Sequence, residues 1–183
     1  LGTLHLRQQN PAAAERAFHE AVGREPRSVE AHLALGNFLA TRGDAARAEQ
    51  AFKTAAALAP VGSSARVRLA DFYLVLRNPE EARRILTETS DKAPDFLPAW
   101  RRLAELAFAE RKWDESVKAL DAVLKKSPQD LDARFLRGRV HLALGETSEA
   151  ILEFQRVLKT EPRVAPARFQ LAVAHIQAGN FQQ

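Results

Sequence analysis

VEAHLALGNFLATRGDAARAEQAFKTAAALAP, residues 29–60, reads as two amphipathic helices joined at Gly43-Asp44 and closed by Pro60. The rest of the chain is this stretch written again. Counting 34 residues at a time from Pro26 lands on Pro60, Pro94, Pro128 and Pro162. With nine prolines in 183 residues, four further hits in fixed register arise by chance with a probability of roughly 10⁻⁵. The repeat therefore decides the fold.

Cut at that period, the chain gives four full repeats, 29–62, 63–96, 97–130 and 131–164. Residues 1–28 are most of a preceding repeat and 165–183 the first half of a following one. Gly2, Gly36, Ala70, Ala104, Gly138 and Ala172 share a column that never exceeds a methyl group, which two helices need where their backbones cross closely. Ala14, Ala48, Ala82, Ser116 and Ala150 form a second small column, on the second helix, and Ala31, Ala65, Ala99, Ala133 and Ala167 a third. Large residues fill the complementary columns: Leu1, Leu35, Leu69, Leu103 and Leu171 in one, Phe18, Phe52, Leu86, Leu120 and Phe154 in another. Small facing large at helical spacing is a packed seam.

All nine prolines obey the register. Five close second helices. Pro11 and Pro79 follow Asn10 and Asn78, so that each Asn caps a second helix and each Pro sits in its first turn. Pro98 and Pro166 stand in the first turn of first helices, where the missing N–H costs nothing. Gly43, Gly145 and Gly179 occupy the turn between helices, where a left-handed residue is wanted, and Arg77 and Arg111 replace glycine there. Ser28, Ser63, Asp95 and Asp130 are the expected N-caps of the first helices.

Composition restricts the function classes. Neither a bilayer-crossing apolar run nor a signal peptide is visible, and no membrane insertion is expected. Absence of cysteine excludes disulfides and thiolate metal sites, and leaves compartment open. A chain opening on Leu1-Gly2 without methionine reads as an internal or processed segment. The net charge of +4 falls far short of a nucleic-acid-binding signature. No Ser/His/Asp set, paired-carboxylate motif or glycine-rich phosphate loop appears, so no enzyme and no cofactor are expected. His5, His141 and His175 share one column but stand a whole repeat or more apart, unlike the i, i+4 pair of a helical metal site, and read as helix-packing residues.

LALG at 33–36 with Ala48, Phe52, Ala55 and Pro60 resembles the tetratricopeptide repeat, as do Trp100, Leu103 and Ala104 with Pro128, and Gly138, Ala150 and Phe154 with Pro162. Departures are Ser116 in the small column, Thr89, Val123 and Val157 in another, and Arg137 in the column of leucines. A pentatricopeptide array, with its longer period, fits poorly because nothing slips between Pro26 and Pro162, and base-by-base RNA reading is not expected. The resemblance implies an all-α, right-handed α-solenoid of antiparallel helix pairs forming one continuous domain. It also implies that the first helices line a concave groove for a peptide or partner helix.

Three columns of the first helix are then expected to face that groove. One holds Leu33, Val67, Arg101, Phe135 and Phe169; the next Asn37, Asp71, Glu105, Arg139 and Val173; the last Ala40, Leu74, Phe108, Leu142 and Ile176. Apolar outer columns around a mixed-charge stripe suit an amphipathic helix or a peptide with spaced apolar anchors. Nine arginines against five acids in 29–42, 63–76, 97–110, 131–144 and 165–178 make this side mildly positive and favour a partner with acidic character. The Lys/Asn/Arg carboxylate clamp known in the resembled family is incomplete: Asn37 follows Leu33 where lysine is needed, and only Arg101 and Arg102 could contribute.

Arg137 is expected to snorkel or to meet a carboxylate, with Asp121 and Asp132 the nearest candidates in sequence. The expected function is a non-catalytic protein–protein scaffold. The alternatives are a targeting or regulatory arm of an enzyme encoded outside this segment, and a self-associating solenoid of a bacterial envelope or secretion assembly. Helix 165–178 has little of its covering helix, so Leu171 and His175 are expected to lie open to water, with fraying beyond Gly179 or self-association at that end.

Overall fold

The computed structural model describes residues 11–179, which contain ten helices and no strand. These are α1 (Pro11–Arg24), α2 (Val29–Thr41), α3 (Ala45–Leu58), α4 (Ser64–Val75), α5 (Pro79–Lys92), α6 (Leu97–Ala109), α7 (Trp113–Lys126), α8 (Leu131–Leu144), α9 (Thr147–Thr160) and α10 (Ala165–Gln177). Two compact units divide between Phe96 and Leu97, with α1–α5 in the first and α6–α10 in the second. Within the first unit α2 packs on α3 and α4 on α5; within the second α6 packs on α7, α8 on α9, and α9 on α10.

The helix ends follow from the punctuation. Every second helix stops two residues before its proline, because the residue preceding proline is steered out of the helical region. Pro79 opens α5 and the Asn78 side chain accepts from the Glu81 N–H, while Asn10 lies outside the described residues. Ser28 and Asp130 cap α2 and α8 through the N–H groups of Ala31 and Ala133. Ser63 holds the N-cap position of α4 without capping it, its hydroxyl buried without a hydrogen-bond partner. Asp95 stands two residues ahead of α6, one position too early for a cap.

The turns that follow the five first helices α2, α4, α6, α8 and α10 share one conformation. Gly43, Arg77, Arg111, Gly145 and Gly179 have φ between +57° and +80°. At the first four of these turns the following residue donates its N–H five residues back, as in Asp44 to Leu39, Asn78 to Tyr73, Lys112 to Ala107 and Glu146 to His141. This Schellman closure satisfies carbonyls that the helix end would leave bare.

The seam between paired helices is matched in volume. A Cβ added at Gly36 would lie 3.1 Å from the ring of Phe52, and one at Gly138 would lie 2.7 Å from Phe154 Cε1. Where the partner is Leu86 or Leu120 rather than phenylalanine, the small position is Ala70 or Ala104. Glycine thus goes with phenylalanine and alanine with leucine, and the helices keep one register at near-constant filled volume.

Polar side chains close the remaining gaps. His32 Nε2 lies 2.9 Å from the Pro26 carbonyl, and Arg134 Nε donates to the Pro128 carbonyl at 2.8 Å, the same device three repeats on. Ser116, an odd member of an alanine column, is fully buried and donates to the Ala104 carbonyl at 2.9 Å, so it carries no desolvation penalty.

Arg137 neither snorkels nor meets Asp132. It pairs with Asp121 at 3.2 Å and with Glu153 on α9 at 2.7 Å. Five residues on a helix turn through roughly 500°, which places Asp132 on a different side from Arg137. Glu153 also receives Arg134 at 2.9 Å and Arg156 at 2.8 Å. Its burial raises the pKa, and hydrogen bonds and charge from Arg137 and Arg134 outweigh that and hold it below the ordinary glutamate value.

Leu171 and His175 are not open to water. Leu171 is half-buried against the cluster of Ala150, Phe154 and Ala174, and His175 is buried, because α10 lies on α9. The N-terminal half-repeat through Asn10, His5 included, and the residues beyond Gly179, where fraying is expected, fall outside the described part. His141, half-buried, combines its packing role with a contact from Nδ1 to Glu146 at 2.6 Å.

Candidate functional site

First helices of consecutive repeats touch within each unit: α2 with α4 in the first, α6 with α8 and α8 with α10 in the second. The three columns therefore form a separate face in each unit. In the first, Leu33, Val67 and Leu74 are half-buried, Asp71 is half-buried, and Asn37 is exposed. The large apolar side chains left uncovered there stand at the end of α4, where Val75 is 79% and Leu76 41% exposed.

The second unit differs. On α8, Phe135 and Leu142 are half-buried because they pack against the Ala150–Phe154–Ala174 cluster, with the Phe135 and Phe154 rings 5.8 Å apart. On α10, one repeat further, Phe169 is 66% exposed and Ile176 60% exposed, with half-buried Val173 between them. Spacings of four and three residues put these three side chains on one helical face. On α6, Phe108 sits edge-on to Trp113, ring centroids 5.3 Å apart.

Between α6 and α8 lies a cleft of about 270 Å³, bounded by Arg101, Glu105, Asp132, Phe135, Leu136 and Arg139. Half of its charges are already matched. Arg101 pairs with Asp130, the N-cap of α8, and Arg102 pairs with Glu105. Both guanidinium groups that could have served a carboxylate clamp are thus engaged by the protein's own acids. Arg139 is different: its guanidinium carbon stands 4.3 Å above the Phe108 ring and 6.0 Å from that of Phe135, and no carboxylate among the described residues lies within ion-pair distance. Stacking on an aromatic face orients the cation and leaves its N–H edge free. Asp132 likewise has no cation within ion-pair distance among the described residues.

The columns thus bring Arg101, Glu105, Phe108, Phe135 and Arg139 together around one cleft and place Phe169, Val173 and Ile176 on the neighbouring helix. Asp132 and Leu136 are cleft residues outside the three columns. The signal for them is their spacing with Phe135 and Arg139, which at i, i+3, i+4 and i+7 is one face of α8. Among the described residues no group of three or more His, Asp or Glu side chains could hold a metal ion, and no helix is long and apolar enough to cross a membrane.

Sequence profiles described as tetratricopeptide repeat match residues 1–63, 101–159 and 137–183, and a second such profile matches 39–106. No curated protein matches the chain significantly in sequence. Similar solved structures include PilW, a type IV pilus biogenesis factor, at 16% identity over 99% of this chain and 84% of that one, TM-score 0.76. YrrB, described as a tetratricopeptide protein with an unusual peptide-binding site, matches at 16% identity over 92% and 87%, TM-score 0.66. TTC0263, a thermophilic tetratricopeptide protein of Thermus thermophilus, matches at 20% identity over 96% and 95%, TM-score 0.68. At such identities the likeness establishes the architecture, an all-α helical-repeat solenoid.

Proposed function

Because the chain belongs to the tetratricopeptide repeat family, we propose that it is a non-catalytic scaffold that binds an amphipathic helix of another protein along the first-helix face of its second unit. The observation that carries this reading is the exposure of Phe169 and Ile176, with Val173 between them, on the helix next to the Arg139 cleft. A helix laying apolar side chains at i, i+4 and i+7 against α10 would cover them, its polar flank meeting the cleft on α8. The likeness to a repeat protein described as peptide-binding agrees with a polypeptide partner.

The test is fluorescence anisotropy with a labelled amphipathic helical peptide carrying leucines at i, i+4 and i+7. Phe169→Ser with Ile176→Ser is expected to weaken binding at least about tenfold while leaving the melting temperature unchanged, since both side chains are already exposed. Unchanged affinity would move the site off this face. Concentration-dependent sedimentation abolished by the same double variant would instead assign the face to a second copy of the chain.

A further inference from the structure

The cleft between α6 and α8 has a charge pattern that composition alone does not suggest. Of the charged side chains that bound it, Arg101 is neutralised by Asp130 and Glu105 by Arg102. Arg139 and Asp132 remain, one of each sign, on the same face of α8. They stand seven residues apart, about 10 Å along the axis, with Phe135 and Leu136 between them on the cleft wall. No ion pair joins them. The site is therefore dipolar rather than net positive: a cation at one end, an apolar wall, an anion at the other.

We propose that this cleft selects, within the partner helix, a segment bearing one acidic and one basic side chain seven residues apart on either side of an apolar one. The acid is taken by Arg139 and the base by Asp132. Seven residues is two turns of the occupant as it is of α8, so a helix lying along α8 meets both charges in register. Arg139 is suited to its part because its guanidinium carbon stands 4.3 Å over the Phe108 ring, and an arginine held there can still offer N–H groups to a carboxylate. Discrimination comes from both ends. A segment with two acids gains Arg139 but sets a carboxylate against Asp132, and one with two bases meets Arg139 unfavourably. The apolar residue between them enters the cleft over Phe135 and Leu136, whose volume of about 270 Å³ has room for a side chain of leucine or phenylalanine size.

This inference rests on the groove reading above, and its test separates the two. Four helical peptides share one apolar face and differ only at the two positions flanking the central leucine: Glu/Arg, Arg/Glu, Glu/Glu and Arg/Arg. Anisotropy titrations at low salt with the native chain are expected to show one of the mixed orders binding about tenfold tighter than either like-charged peptide. In Arg139→Gln the preferred mixed peptide and Arg/Arg should bind alike, and in Asp132→Asn the preferred mixed peptide and Glu/Glu should bind alike. Glu/Glu binding as tightly as the mixed pair in the native chain would overturn the dipolar site. So would four equal affinities insensitive to both substitutions yet lost in Phe169→Ser with Ile176→Ser, an outcome that leaves the groove standing. Binding of none of the four would overturn both readings.

Discussion

The hairpins α2–α3 and α8–α9 are the same structure reached with different chemistry. Both cross at glycine over phenylalanine, Gly36 on Phe52 and Gly138 on Phe154. Both tie the preceding proline carbonyl to a side chain, His32 in one and Arg134 in the other. They part at two adjoining columns. Where α2–α3 carries Leu35 and Ala51, both buried, α8–α9 carries Arg137 and Glu153. In the one, the contact is apolar and indifferent to direction; in the other, a carboxylate with a 5% exposed side chain collects three arginines. A buried ion pair that replaces a hydrophobic contact is close to neutral as a pair and costly when halved. The repeat thus tolerates the exchange only because both columns changed together.

The largest expected effect comes from halving it. Glu153→Ala leaves Arg137 only the exposed Asp121, while Arg134 keeps the Pro128 carbonyl, and should cost about 3 kcal/mol. Adding Arg137→Leu restores the leucine of the other repeats and should recover most of that loss. Trp100 and Trp113 both lie in the second unit, so urea unfolding followed by tryptophan fluorescence reads the effect where it occurs. The converse, Leu35→Arg in α2–α3, should cost at least as much, since Ala51 offers no acceptor. If Glu153→Ala is neutral, the two hairpins do not differ in the way described. Acid gives a second reading of the same pair. Because the folded pKa of Glu153 is held below its ordinary value of 4.5, its contribution is present above that pH and is lost as pH falls through the folded value. Stability measured from about pH 6 downward, across the carboxylate range, should therefore fall less steeply in the Arg137→Leu, Glu153→Ala double variant than in the native chain.

Next in size is the crossing itself. An alanine at Gly138 would drive its Cβ to within 2.7 Å of the Phe154 ring, against 3.1 Å for Gly36 and Phe52. Overpacking of that kind costs about 1–3 kcal/mol, whereas alanine gains up to about 1 kcal/mol of helix propensity over glycine. Gly138→Ala is therefore expected to destabilise by about 2 kcal/mol and Gly36→Ala to stay near zero. Phe154→Leu added to Gly138→Ala recreates the alanine–leucine pairing of α4–α5 and α6–α7 and should return part of the loss. Equal costs at the two glycines would mean that the backbones relax apart and the difference in approach carries no energy.

How far each feature was legible follows from how it is encoded. Proline and the turn glycines act through local backbone geometry, so their positions in one repeat predict the helix ends in all, and the seams follow from side-chain size alone. Exposure is not encoded that way. Phe135 and Phe169 occupy one column, yet the first packs on the Phe154 cluster and the second is two-thirds bare. A column fixes the direction of a side chain, and the neighbours decide its cover. The Arg137–Glu153 pair was half legible: Arg137 stands out among leucines, whereas Glu153 stands out only when set against Ala17, Ala51, Ile85 and Ala119 of its own column. Asp132 is near Arg137 in sequence, but helical periodicity aligns it with Phe135, Leu136 and Arg139 instead.

The smallest effect separates the turns. Gly43 and Gly145 adopt φ of 78° and 80° without penalty, while Arg77 and Arg111 hold 57° and 60° against the clash of their own Cβ. Neither arginine has an ion pair among the described residues, and both are exposed, so the side chain returns nothing for the strain. Arg111→Gly should then stabilise the second unit, by up to about 1 kcal/mol less the greater freedom glycine confers on the unfolded chain. Gly43→Arg should destabilise the first unit by a similar amount. Both are read as shifts in the urea midpoint at constant m-value, by far-UV circular dichroism for the first unit and tryptophan fluorescence for the second. A loss of stability in Arg111→Gly would show that freedom in the unfolded chain outweighs left-handed strain at this turn, and that arginine is the more stabilising residue there.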